Sequence, residues 1–196
     1  MVWLRGLYPF PTGWYAVALS SELAAGEVRT VHYFDKDIVL YRTAAGQPIA
    51  VEPFCPHLGA HLGHGGVVDG EVIQCPFHNW RFGVDGGCVA VHGSDKVAKQ
   101  AALTHYAIVE QDDVISVFHA ASGEEPFDFP PLGSTGFTDS RFVTWTGLRT
   151  HPQEVCENTV DMAHLFPVHG VNGAHVVGKP HIDGSHMNVV LEFTAP

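Results

Sequence analysis

The sequence predicts a mainly β N-terminal unit, a small antiparallel barrel or sandwich, followed by the start of an α+β unit. Three observations carry this reading. Short β-branched and aromatic runs separated by polar turns fill residues 13–120. Residues 121–136 change character, because Ser122-Gly123-Glu124-Glu125-Pro126, Pro130-Pro131, Gly133 and Gly136 make a stiff, polar, non-helical connection. Beyond it, His151 to Leu165 carries the marks of a helix. The boundaries read from this are 1–120 for the first unit with its lead-in, 121–136 for a linker, and 137–196 for the start of the second.

The composition supports a packed core, since 45% of the 196 residues are hydrophobic. A net charge of −11 without any basic run argues against a nucleic-acid partner. No apolar stretch approaches the ~18 residues of a membrane span, and Met1 to Thr12 lacks the basic start and apolar segment of a signal peptide. Cys88 and Cys156 sit in no ligand motif and read as free thiols of a reducing compartment, so a cytoplasmic location is expected.

In chain order, strands are expected over Trp14–Leu19, Val28–Phe34, Ile38–Thr43 and Pro48–Glu52, with Ser20 to Leu23 as a turn or single helical loop. Asp69-Gly70 and Asp85-Gly86-Gly87 are hairpin signals. Tyr106–Glu110 and Val114–Phe118 pair around Gln111-Asp112-Asp113, and a further strand is expected within Phe137–Leu148, centred on Phe142 to Trp145. Many short strands at close spacing favour a small barrel or sandwich, and no internal repeat is present.

Two cassettes interrupt these strands: Cys55-Pro56-His57 and, after seventeen intervening residues, Cys75-Pro76-Phe77-His78. Two thiols and two imidazoles suit a metal, and zinc must be weighed first. Zinc fingers usually place both cysteines before both histidines and carry the histidines on a helix. Here the order alternates, and Pro56 and Pro76 put each cassette on a tight loop. His61 and His64, crowding the first cassette, read as a solvated loop tip rather than ligands.

The Cys-x-His-x17-Cys-x2-His pattern at 55, 57, 75 and 78 resembles the Rieske family, whose [2Fe–2S] centre holds one iron on two Cys and the other on two His. The resemblance implies Cys55, His57, Cys75 and His78 as cluster ligands. Two ferric ions, two sulfides and two thiolates sum to zero charge, which favours uptake of an electron at roughly −150 to +300 mV. Respiratory Rieske proteins carry two further cysteines where this chain has Ala60 and Phe77, and they donate to a sulfide from a serine where Asn79-Trp80 stand. The chain is therefore similar to the low-potential Rieske type of bacterial oxygenases and ferredoxins.

From His151, Pro152 near the first turn and Gln153-Glu154 open a helix expected to end at Pro167. Within it Asp161 and His164 share a face, and a break at Pro167 would let His169 turn back toward His164. Asp161-x2-His164-x4-His169 resembles the iron motif of Rieske non-haem iron oxygenases. That resemblance implies His164 and His169 as ligands of a mononuclear Fe(II). It makes Asp161 a bridging carboxylate toward a cluster His of a neighbouring subunit in a head-to-tail ring, with Asn158 facing the same pocket. The family's third ligand, an acid, lies further downstream than this chain reaches. Asp183 reads as a turn residue and Glu192 as an exposed strand residue, so neither is expected to replace it.

The resemblance covers nearly the whole chain and points to a C-terminally incomplete oxygenase α-subunit. Gly13-Trp14-Tyr15, Gly65-Gly66-Val67-Val68 and the two cassettes look most like the sterol-active branch, the Neverland-type cholesterol 7-desaturases and 3-ketosteroid 9α-hydroxylases. Asn79 departs from the glycine usual before the tryptophan. The implied partners are an NAD(P)H-dependent reductase, a ferredoxin where one is used, O₂ and an apolar substrate, sterol or aromatic, with a homotrimer as the full-length assembly. The implied reaction is hydroxylation, dihydroxylation or desaturation. The rival is a stand-alone Rieske-type ferredoxin, against which residues 137–196 and their second motif argue.

Overall fold

A computed structural model of the chain describes residues 10–129, 144–145, 147–184 and 186–194. The described residues fall into two compact units, one holding residues 10–129 and the other those from 144 onward. The first is built of antiparallel strands. These are β1 (Gly13–Leu19), β2 (Val28–Tyr33), β3 (Lys36–Arg42), β4 (Pro48–Val51) and β5 (Val67–Asp69). Then come β6 (Val72–Gln74), β7 (Arg81–Phe82), β8 (Cys88–Ala90), β9 (Ile108–Gln111) and β10 (Val114–His119). They form sheets ordered β1-β10-β9, β2-β3-β4 and β5-β6-β7-β8.

The β2-β3-β4 sheet separates two cores. Successive side chains of a strand point to opposite faces, so Val39, Tyr41, Ile49 and Val51 enter one core while Ile38, Leu40 and Ala50 enter the other. The first core also holds Cys55, Leu62, Ile73, Cys75 and Phe82, and it therefore anchors both cassettes. The second core takes Val17, Ile115 and Val117 from β1 and β10.

Turn chemistry sets the strand ends. Gln111 pairs with Val114, which leaves Asp112 and Asp113 as a two-residue turn with φ of 51° and 64°. Such turns need left-handed backbone at both positions, and Asp tolerates it. Phe34 was expected to end β2, but Tyr33 pairs with Lys36, and Phe34 and Asp35 turn the corner at φ of 58° and 56°. The strain on a bulky residue is offset by burial. The Phe34 ring stacks on His119 at 4.2 Å between centroids and meets Tyr15 edge-on at 4.9 Å. Residues 121–129 form neither helix nor strand, and Phe127 and Phe129 lie against Trp14, whose Nε1 donates to the Phe127 carbonyl at 2.9 Å.

The second unit holds α1 (Pro152–Val160), a 3₁₀ turn over Met162–His164, α2 (Leu165–His169), β11 (Asn172–Asp183) and β12 (His186–Thr194). The helix expected through Leu165 breaks earlier, at Asp161. This residue leaves helical geometry and uses its side chain to cap the next turn, Oδ1 accepting from Ala163 N at 2.9 Å. Pro167 ends nothing: it sits in the first turn of α2, where its missing N–H has no partner to lose.

β11 is read as a strand only through its pairing with β12, since Gly173, Gly178 and Pro180 look like breakers in isolation. The register shifts at these glycines, whose φ values are 65° and 73°. Asp183, expected in a turn, closes β11 opposite His186. The strand expected over 137–148 lies largely outside the described residues, and Thr144 and Trp145 belong to no strand. Among the described residues no helix is long and apolar enough to cross a membrane.

Candidate metal centres

The two cassettes are loops of the same construction. In the first, Cys55 N donates to the Ala60 carbonyl at 2.9 Å and Gly59 N returns to the Cys55 carbonyl at 2.9 Å. In the second, Cys75 N donates to Trp80 O at 2.8 Å and Asn79 N to Cys75 O at 3.1 Å. Both loops therefore need left-handed backbone at their fifth residue, and Gly59 and Asn79 have φ of 74° and 54°. Asn79 thus stands where a glycine is the easy choice, and its Oδ1 accepts from Gln74 Nε2 at 3.1 Å.

These loops bring together all four residues that the sequence singled out. Cys55 and Cys75 are buried at 3% and 1% exposure, while His57 and His78 are half-buried. The two imidazoles lie 4.7 Å apart between centroids, at 70° to one another. Trp80 covers the face of His57, with centroids 4.3 Å apart and planes within 7° of parallel. Sequence reading gave Trp80 no such role, because nothing in linear spacing shows which ring it meets.

The donor set fits an iron–sulfur cluster on two counts. His57 Nδ1 is buried and has no hydrogen-bond partner among the described residues, a costly state that a metal would relieve. Burial pushes the Cys55 thiol up to about 11, and the neighbouring Cys75 adds to the rise. A thiol so placed stays protonated at neutral pH unless a cation holds it as the thiolate. Two donors for each of two metals is the arrangement a [2Fe–2S] centre uses.

His61 overturns one expectation. Its ring is no solvated loop tip: the side chain is only 15% exposed, and Nε2 lies 3.3 Å from Asp37 Oδ2. His64 is exposed as expected.

In the second unit, His164 and His169 approach to 5.4 Å between ring centroids, at 77°. The α2 turn itself achieves this, with His164 at its N-cap and His169 its last residue. His164 Nδ1 is buried and lies 3.5 Å from Asp161 Oδ2, an ion-pair distance at which no hydrogen bond is formed. The contact runs from Asp161, the N-cap of the 3₁₀ turn, to His164, its last residue. Glu192 is exposed and lies 3.6 Å from His175, and no third donor joins His164 and His169 among the described residues.

Comparison with known proteins agrees with this geometry. Residues 13–107 match the Rieske [2Fe–2S] domain, and residues 117–192 match the 3-ketosteroid 9α-hydroxylase C-terminal domain. The chain is 39% identical over 165 residues to cholesterol 7-desaturase nvd of Bombyx mori, covering 82% of this chain and 36% of that protein. It is 32% identical over 188 residues to the oxygenase component of 3-ketosteroid-9-alpha-monooxygenase of Rhodococcus rhodochrous, covering 91% and 49%. The chain thus spans between about a third and a half of these relatives' length. Among solved structures, the terminal oxygenase of carbazole 1,9a-dioxygenase from Nocardioides aromaticivorans IC177 has a TM-score of 0.54 at 27% identity, over 66% of this chain and 36% of that one. Dicamba monooxygenase with non-heme iron and dicamba has a TM-score of 0.52 at 28% identity, over 62% and 37%. With both domain types matched in order along one polypeptide, the chain belongs to the Rieske oxygenases, in the branch of the 3-ketosteroid 9α-hydroxylases and cholesterol 7-desaturases.

Proposed function

We propose that this chain supplies the electron-accepting and iron-binding portion of a terminal oxygenase that hydroxylates or desaturates an apolar, sterol-like substrate. The carrying observation is the pairing of Cys55 and Cys75 in the core with His57 and His78 at 4.7 Å, on two loops of one construction. Cys55 and Cys75 would hold one iron of a [2Fe–2S] cluster and His57 and His78 the other, while His164 and His169 would hold a mononuclear iron. When bound, the cluster supplies one-electron transfer and the mononuclear iron supplies O₂ activation.

The chain's own residues prepare those sites. The core closes over both thiols and keeps water from them. Trp80 fixes the plane of the His57 ring. The Asp161 carboxylate, with Oδ2 3.5 Å from His164 Nδ1, favours a proton on that nitrogen by its charge, which would leave Nε2 as the metal donor. By family resemblance Asp161 also links the two metal sites across neighbouring subunits of a head-to-tail homotrimer.

The relative's description as an oxygenase component supports separate electron donors, an NAD(P)H-dependent reductase with or without a ferredoxin. The four cysteines form no disulfide, which suits the reducing cytoplasm. A stand-alone Rieske ferredoxin is disfavoured, because residues 117–192 match an oxygenase C-terminal domain.

The test is anaerobic purification followed by iron and sulfide analysis and EPR. Equimolar iron and sulfide with a signal on reduction are expected, and a colourless protein with stoichiometric zinc would end the proposal. Titrated with ferrous iron, the protein should take up a further equivalent that His164→Ala and His169→Ala both abolish. Uptake untouched by either substitution would return the chain to the electron-carrier class.

A further inference from the structure

The first cassette makes a carboxylate–imidazole contact that the metal sites do not use. His61 Nδ1 accepts the Gly63 N–H at 3.1 Å, so in the neutral ring the proton resides on Nε2, which faces Asp37 Oδ2 at 3.3 Å. The other oxygen of Asp37 lies 2.7 Å from His32 Nδ1, across the β2–β3 pair in which His32 and Asp37 stand opposite. Hydrogen bonds from His32, and then from His61, hold the Asp37 carboxyl below the usual carboxylate range.

His61 also closes the metal-ligating loop. Phe54 and His61 form an isolated antiparallel bridge, their rings edge-on at 5.4 Å, and everything between them is the segment carrying Cys55 and His57. His64 packs edge-on against the same ring at 4.2 Å. The loop then presses directly on β2: a Cβ on Gly63 would come within 1.9 Å of Thr30 Oγ1.

We propose that Asp37 is a positioning residue for the [2Fe–2S] site, acting through His61 to clamp residues 54–61 onto the β2–β3 hairpin. Asp37 touches no metal donor. It selects the Nε2–H tautomer of His61, and that tautomer leaves Nδ1 free to accept from Gly63 and shut the loop. Loss of Asp37 lets His61 exchange tautomers and the bridge at Phe54 loosen, and the loop then presents Cys55 and His57 less rigidly. The inference rests on the cluster reading given under Proposed function.

The test compares Asp37→Ala, Asp37→Asn, His61→Phe and His32→Ala with the wild-type holoprotein. Two readouts are used: the half-time of visible-absorbance loss to an iron chelator, and the EPR g-values of the reduced cluster. Asp37→Ala and His61→Phe should lose the cluster about tenfold faster, in line with other partners that orient metal ligands, and should shift the g-values. Asp37→Asn keeps a neutral acceptor and should fall between them and wild type, whereas His32→Ala should match wild type. Should Asp37→Ala fail to fold, Asp37→Asn carries the same two readouts. Wild-type half-times and g-values in both Asp37→Asn and His61→Phe would overturn the proposal. A wild-type protein without iron would overturn the cluster reading itself, and a separate result would mark it as such.

Discussion

Gly59 and Asn79 occupy the same position in the two cassettes, each returning its N–H to the carbonyl of the loop's own cysteine from left-handed backbone. A Cβ at Gly59 would meet nothing within 4 Å, so the cost of substitution there is conformational alone. Gly59→Ala should therefore destabilise the protein by about 1–2 kcal/mol. Asn79→Gly should be neutral or slightly stabilising, while Asn79→Ala should cost about 1 kcal/mol. Urea unfolding measures all three, and a neutral Gly59→Ala would refute the shared construction.

Trp80 lies flat on His57 and also packs against the core that holds both cysteines. Trp80→Ala should cost about 2 kcal/mol, less than the loss of a fully buried tryptophan because Trp80 is only partly buried. In the holoprotein it should also speed cluster loss, whereas Trp80→Phe should restore most of the retention. Stopped-flow bleaching in the presence of a chelator separates the two variants. Equal rates would deny the indole any part in holding the ring.

The cassettes and the His164–His169 pair lie in separate units, so their metals should be lost separately. Cys75→Ser should abolish the visible absorption of the cluster. His164→Ala should leave that spectrum unchanged and remove only the additional ferrous iron. A bleached His164→Ala protein would merge what are argued to be two sites.

Arg42 holds Glu110 with two hydrogen bonds, at 2.7 and 2.9 Å, and also donates to the carbonyls of Leu23 and Gly46. The pair is mostly shielded, with side chains 11% and 27% exposed. Hydrogen bonding from Arg42 holds the Glu110 carboxyl below its ordinary value. A depressed folded pKa means this stabilisation is complete above the unfolded value of about 4.3. It is lost as the pH falls through the lower, folded one. Thermal unfolding from pH 7 to pH 3 should show Arg42→Ala about 2–4 kcal/mol less stable at neutral pH. The gap should narrow below about pH 4, and a gap independent of pH would exclude the charge pair as its origin.

The two cassettes were legible because their chemistry is local. A cysteine, a proline and a histidine within four residues dictate a tight loop with its donors wherever that loop is placed. Turn residues behaved likewise at Asp112-Asp113, where both positions need left-handed backbone. Phe34 failed that rule, since its strained corner is stabilised by His119 and Tyr15, which lie far away in sequence. The helix break at Asp161 was hidden for the opposite reason. No Gly or Pro marks it, and only the side chain's choice to cap the following turn reveals it.

The chain by itself determined the β-rich character of the first unit and the tight loops of the two cassettes, because composition and spacing act through nearest neighbours. Tertiary structure alone decided that β11 exists, that Trp80 covers His57 and that His61 turns from solvent to Asp37. Each of these depends on which distant surface a side chain meets, and that is settled by packing free energy summed over the folded unit rather than by any local preference.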